Sequence, residues 1–194
     1  MNNTLRKVTF IILGLIMIIG FIYLGKKDYS SFRNHGKDNV VMSRTYKTLD
    51  KNNIFEILDD DELVEFLTNG TGVILFCFKE APFCDGYTDI LNRIATLSGL
   101  KKVYYYDIKR ERETKSYYYH QIVNKGKEYL TKNDLGQHVL SVPEIYILRD
   151  GKLIAHNNDT AYAQGNVEPN EYWNIENIIE LEIKLQKLLM KLWE

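Results

Sequence analysis

The run VILFCF occupies residues 73–78 and is followed by KEAPFC at residues 79–84. An uninterrupted apolar run of this length between turn residues is typical of a strand that is buried on both faces of a sheet. The residues that follow place Ile90, Leu91 and Ile94 on one face of a predicted helix. A strand, a short turn and a helix in this order predict an α/β unit.

Two further strand signals extend this unit. VYYYDI at residues 103–108 is a second apolar strand, parallel to the first if the helix crosses over between them. Asp150-Gly151 separates the β-rich runs 139–148 and 152–156, which is a strong hairpin signal. Parallel strands followed by an antiparallel pair predict an α/β domain with a mixed central sheet flanked by helices.

Helices are predicted around the strands. The acidic residues 59–62 open one helix, since negative charge is favoured at a helix N-terminus, and a second covers about residues 117–130. The basic residues 109–112 are interpreted as a solvated loop. A last helix begins near Asn174 and carries a broad apolar stripe, which we interpret as core packing, with a partner helix as the less favoured alternative.

The N-terminus reads as a membrane anchor. Residues 8–24, VTFIILGLIMIIGFIYL, carry no charge and reach about 25 Å as a helix, the short end of what spans a bilayer. A cleaved signal peptide is the alternative, but the apolar core is longer than usual and no small-x-small site follows it. We therefore predict a single-pass signal anchor.

The anchor divides the chain into a tail (1–7), the transmembrane segment (8–24), a polar tether (25–47) and one domain (48–194). Lysine or arginine flanks both ends of the apolar segment, so the positive-inside rule gives only a slight preference. Arg6-Lys7 and the α-amino group favour a cytoplasmic N-terminus. The expected location is the cell membrane, with the domain on the extracytoplasmic side.

The domain resembles the thioredoxin-like superfamily. Residues 72–95 look like its strand, active-site loop and helix, and residues 141–152, which include Val142-Pro143, look like its cis-proline strand and hairpin. The chain is most similar to membrane-associated thioredoxin-like proteins of Gram-positive bacteria, including bacteriocin-transport accessory proteins. The resemblance covers about residues 54–192 and implies a thioredoxin-like fold.

The redox motif is degenerate under this resemblance. The first cysteine of the family's Cys-x-x-Cys falls on Ala81 and the second on Cys84, its buried acidic residue falls on Leu75, and its cis-proline falls on Pro143. The first cysteine is the nucleophile in dithiol exchange, so Ala81 removes the attacking sulfur. Burial raises the pKa of a thiol, so Cys84 is expected to be a poor thiolate.

Cys77 is the second cysteine of the chain. Counted along an extended strand it is expected to lie well below the loop and to pack as a small core residue. A disulfide with Cys84 is the alternative. For Cys84 itself, a buried unreactive thiol and a single thiol that forms mixed disulfides both stay open.

A peptide-binding groove is implied by the resemblance. In the family, the backbone before the cis-proline pairs with an extended substrate, which assigns that role to Val142 beside Pro143. Ala81, Pro82 and Phe83 would then form the apolar opposite wall, although Phe83 alternatively packs against the loop. Such binding needs no cysteine.

The expected function is a non-catalytic module that holds an exported protein or peptide, including one that carries a disulfide. The alternative is a thiol-disulfide oxidoreductase or accessory protein that works through Cys84, with or without Cys77. The net charge of −1 gives no reason to expect nucleic acid, and two cysteines with four scattered histidines give none to expect a metal site or cofactor.

Overall fold

The computed structural model describes residues 37–163 and 165–194. The predicted tail and anchor, and the tether up to residue 36, lie outside these residues. Within the described part of the chain, no helix is both long and apolar enough to cross a bilayer.

The described residues form a five-stranded mixed sheet with helices on both faces, which confirms the predicted α/β class. In chain order the elements are α1 (residues 37–45), β1 (Phe55–Ile57), α2 (Asp60–Asn69), β2 (Gly72–Cys77), α3 (Cys84–Leu97), β3 (Val103–Asp107), α4 (Lys109–Thr114), α5 (Tyr117–Gly126), β4 (Glu144–Arg149), β5 (Lys152–Asn157), a 3₁₀ turn (Asp159–Tyr162), α6 (Pro169–Tyr172) and α7 (Ile175–Met190).

Strand β2 lies at the centre of the sheet, whose order is β1-β3-β2-β4-β5. It pairs in parallel with β3 and antiparallel with β4, and β4 pairs antiparallel with β5. Residues 73–77 are fully buried, as the uninterrupted apolar run predicts for a strand covered on both faces.

The helices divide between the two faces of the sheet. Tyr87 of α3 donates a hydrogen bond to Asn157 Oδ1 (2.8 Å), and Asn157 pairs with Ile145 of β4. Tyr146, the next residue of β4, donates instead to the carbonyl of Ile122 in α5 (3.3 Å). Successive strand residues point to opposite faces, so α3 and α5 cover opposite sides of the sheet.

The domain begins earlier than residue 48, which corrects part of the predicted tether. Residues 37–45 are helical, and Asp38, Met42 and Tyr46 are buried one turn apart. The Tyr46 hydroxyl lies 3.0 Å from that of Tyr105 in β3. The buried face is hard to recognise in the sequence because it includes Asp38, while the neighbouring Val40 and Val41 are exposed.

Two other expectations are wrong in detail. The basic residues 109–112 belong to helix α4, because Glu111 is buried and Arg110 pairs with it and with Asp60 Oδ2 (2.8 Å). Strand β4 begins at Glu144, five residues after the predicted start at residue 139. Strand β1 was not predicted, because its three residues are too few to show an alternating or continuous apolar pattern.

The predicted hairpin turn and the start of the last helix are confirmed. Asp150 and Gly151 both have positive φ (49° and 71°), as a two-residue turn between twisted antiparallel strands requires. Asn174 caps α7 by accepting a hydrogen bond from the amide of Asn177.

Gly126→Ala tests the packing of α5 against the sheet. A Cβ at this position would lie 1.9 Å from Tyr146 Oη, so the tyrosine or the helix must move. We expect the free energy of unfolding to fall by about 2 kcal/mol, as in other overpacked cores, measured by urea denaturation. Adding Tyr146→Phe removes the clashing oxygen and should recover part of the loss. Unchanged or increased stability of Gly126→Ala would contradict this packing.

Candidate functional site

The sheet topology brings the predicted site residues together at the C-terminal end of the central strand β2. Strand β2 ends at Cys77, and Phe76 of β2 pairs with Glu144, the first residue of the antiparallel strand β4. Pro143 precedes Glu144, and the Val142–Pro143 peptide bond is cis. The end of β2, the start of α3 and the cis-proline therefore meet, in the arrangement that the sequence predicted.

The two cysteines are bonded to each other. The Cys77 and Cys84 sulfur atoms are 2.15 Å apart and the Cα atoms 6.0 Å apart. This corrects the expectation that Cys77 lies too far below the loop and packs as a free core thiol. The sequence left two alternatives open for Cys84, a buried unreactive thiol and a single reactive thiol. Neither applies in this structure, because the Cys84 sulfur is bonded.

Two turns in the loop between the cysteines bring Cys84 closer to Cys77 than expected. The amide of Ala81 donates to the carbonyl of Phe78 (3.0 Å), and the amide of Cys84 donates to the carbonyl of Ala81 (3.1 Å). These two consecutive turns fold the chain back onto the end of β2. The expected distance between Cys77 and Cys84 was based on the rise per residue of an extended strand, which does not allow for this reversal of the chain.

Both cysteine residues are 0% exposed. Ala81, in the loop between them, is 4% exposed. Thiol-disulfide exchange requires an incoming thiolate to reach one of the sulfur atoms. In this conformation the surface offers no sulfur to attack.

Phe83 is buried by two aromatic residues that lie about 90 positions later in the sequence. Its ring centroid lies 5.2 Å from that of Tyr172 and 6.3 Å from that of Trp173. Phe83, Tyr172 and Ala163 form a small buried apolar cluster beside the main core, and Trp173 packs against both. We call Phe83, Tyr172 and Trp173 the aromatic cap.

The predicted groove is closed in this structure. Phe83 is 1% exposed and Val142 is 2% exposed, and Pro143 is also buried. Among the five residues predicted to bind a peptide, only Pro82 is exposed. The predicted apolar wall is therefore covered at Phe83 in this conformation, and the residues that cover it are Tyr172 and Trp173 rather than the loop itself.

A buried acid follows the cis-proline. Glu144 is 0% exposed, and its Oε1 lies 3.0 Å from His156 Nδ1 on the neighbouring strand β5. The ring of Tyr129 stacks on that of His156 at 4.7 Å. Burial raises the pKa of Glu144 to about 7, although the hydrogen bond with His156 opposes the shift.

Sequence reasoning missed this pair, although a signal was present. Glu144 is the one charged residue in the apolar run between Val142 and Leu148, and a charge inside a buried strand needs a partner. His156 lies in the second strand of the predicted hairpin, at the end away from the turn, as Glu144 does in the first strand. Leu75, on strand β2, is fully buried and apolar.

The described residues contain no group of three or more histidine, cysteine or acidic side chains arranged to hold a metal ion. Comparisons with known proteins find no matching protein-family model and no similar curated sequence.

Glu144 makes stability depend on pH. Its carboxyl binds a proton more tightly in the folded chain, with a pKa of about 7, than at its ordinary value of 4.5. The stabilisation is therefore complete below about pH 4.5 and is lost as the pH rises through about 7. Glu144→Gln should remove this loss, measured by denaturant unfolding across the range.

The matched control is Glu128→Gln, because Glu128 lies exposed on the segment after α5. This variant should keep the pH dependence of the parent chain. A difference in stability between the parent and Glu144→Gln that does not change with pH would contradict the assignment.

Proposed function

We propose that the chain is a membrane-anchored thioredoxin-like protein that holds an exported protein or peptide without dithiol catalysis. The proposal is supported by the order of strands and helices, by α3 beginning at Cys84, and by a cis-proline immediately before the antiparallel strand β4. These features are what the resemblance to the superfamily leads one to expect.

The burial of the disulfide is the single observation that carries this proposal. Cys77 and Cys84 are bonded and fully buried, and the position of the attacking cysteine is Ala81. The neighbouring position of the family's acid is Leu75, so no carboxylate from that position can accept a proton from a thiol. The bond accordingly acts as a structural link between β2 and α3.

The disulfide also supports the proposed location. Structural disulfides persist in oxidising compartments and are rare in the cytosol. A bonded Cys77–Cys84 pair therefore favours placing the domain outside the cytoplasm. An uncleaved segment at residues 8–24, with Arg6-Lys7 on the cytoplasmic side, would hold it there.

Peptide binding in this proposal requires the aromatic cap to open. Phe83 is covered by Tyr172, which belongs to the small cluster, and by Trp173, which is only partly buried and follows the four-residue helix α6. Neither residue belongs to a strand, so both can move away from Phe83 without breaking the sheet. An apolar or aromatic side chain of the partner would then replace them against Phe83. The exposed Pro82 lies beside this position.

Gly86→Ala provides a test, because a Cβ there would lie 2.6 Å from Trp173 Nε1 and would displace the indole. The chain has two tryptophans, so Trp193→Phe leaves Trp173 as the only fluorescent indole. We expect a red-shifted emission and about tenfold tighter binding of a carboxymethylated unfolded protein, because the open state becomes more populated.

Thr96→Ala is the matched control, since Thr96 lies exposed on the same helix and bonds only to the carbonyl of Asn92. It should change neither the emission nor the affinity. If the unfolded protein does not bind, or binds both variants equally, the cap does not cover a binding groove.

Thiol-disulfide exchange through the Cys77–Cys84 pair is the second candidate. The observation in its favour is that the two cysteines are bonded and that one of them, Cys84, is the first residue of helix α3, where a thiolate is stabilised. A reductant or substrate thiol would attack one sulfur and release the other. This candidate requires the sulfur atoms to be reachable in the folded chain.

A further inference from the structure

Helix α7 exposes a second apolar surface that the domain core does not use. Ile175, Ile179, Ile183 and Met190 are 78%, 49%, 50% and 55% exposed, and Trp193, just beyond the helix, is 67% exposed. At 3.6 residues per turn, the four helical residues lie within about 80° of one another around the helix axis. We call these five residues the terminal stripe.

The terminal stripe is distinct from the face that packs on the domain. Leu181, Leu185 and Leu189 are the buried residues of α7, and they project from another side of the helix. The sequence interpretation of a single apolar stripe that packs in the core is therefore wrong for Ile175 and Ile179. Exposed apolar surface of this extent, bordered by charge, is typical of an interaction site.

Charged residues flank the terminal stripe, with acidic residues near the start of α7 and basic residues near its end. Glu176 and Glu180 lie in the first half of α7, and Lys187 and Lys191 lie at its end, on the same side of the stripe. All four side chains are exposed, and within residues 37–163 and 165–194 none of them forms a salt bridge. The flank is therefore acidic at one end and basic at the other.

This pattern is complementary to itself when two copies run antiparallel. In an antiparallel helix pair the same flank of each helix meets, so Glu180 of one copy lies within one turn of Lys187 of the other, and Glu176 lies within one turn of Lys191. A parallel pair would bring this flank against the opposite flank of the partner helix, and these four charges would not meet. A lipid surface gains nothing from a flank with two acidic and two basic residues.

We propose that α7 pairs with α7 of a second copy of this chain, antiparallel, with its two-fold axis between Lys184 and Leu185. This alignment sets Ile179 against Met190 and Ile183 against Gln186. Burial of the terminal stripe provides the affinity, and the flanking charges fix the orientation, because exposed ion pairs contribute little affinity by themselves.

The test measures the dimer dissociation constant of the full-length chain in a mild detergent, by sedimentation of the parent and of two charge variants. Glu180→Lys gives a flank with lysines facing lysines, and Lys187→Glu gives acids facing acids. Each variant alone should dissociate at about tenfold higher concentration than the parent. An equimolar mixture of the two, or the double exchange in one chain, should restore pairing.

Two further variants separate this surface from other contacts. Ile179→Asp should give a monomer, and Glu128→Lys, the same charge change at an exposed site on the segment after α5, should leave the dimer intact. A monomeric parent, or single charge variants that dimerise like the parent, would overturn the proposal. So would binding to phosphatidylcholine vesicles that Ile179→Asp abolishes while all chains stay monomeric.

Discussion

The covalent bond between Cys77 and Cys84 joins the end of the central strand to the first residue of the helix that covers it. Chain entropy gives a loop this short about 2–3 kcal/mol of stabilisation. The bond also holds the intervening turns against the sheet, so Ala81 and Phe83 face inward and only Pro82 of the apolar wall reaches solvent. The loop that joins β2 to α3 is thus mostly part of the packed interior.

Two neighbouring features depend on this closed edge. On one side, Tyr172 and Trp173 lie over Phe83, and Gly86 of α3 leaves the space that the indole occupies. On the strand that starts after the cis-proline, Glu144 is buried beside His156. A carboxyl whose pKa lies near 7 holds its proton at mildly acidic pH, so Glu144 makes the packing at this place depend on pH.

The predictable parts of the fold were those with a long periodic signal. The uninterrupted run at 73–78 predicted β2, and Asp150-Gly151 predicted the hairpin. The disulfide was only the less favoured alternative, because its geometry depends on two turns in the loop that residue spacing does not reveal. Helix α1 was not predicted, because the exposed Val40 and Val41 stand beside the buried Met42 and the apolar residues do not fall on one face. The exposed Ile179 resembles a core residue in any sequence pattern.

The central claim is that the disulfide is structural and unreachable in the folded chain. The direct test follows reduction of the full-length oxidised chain by a phosphine reductant, with the released thiols alkylated and counted by intact mass, in native buffer and in denaturant. The account predicts native reduction roughly a hundredfold slower than in denaturant, limited by opening of the domain. Equally fast reduction in native buffer, with Cys84 labelled while the domain stays folded, would contradict it and favour the thiol-exchange candidate.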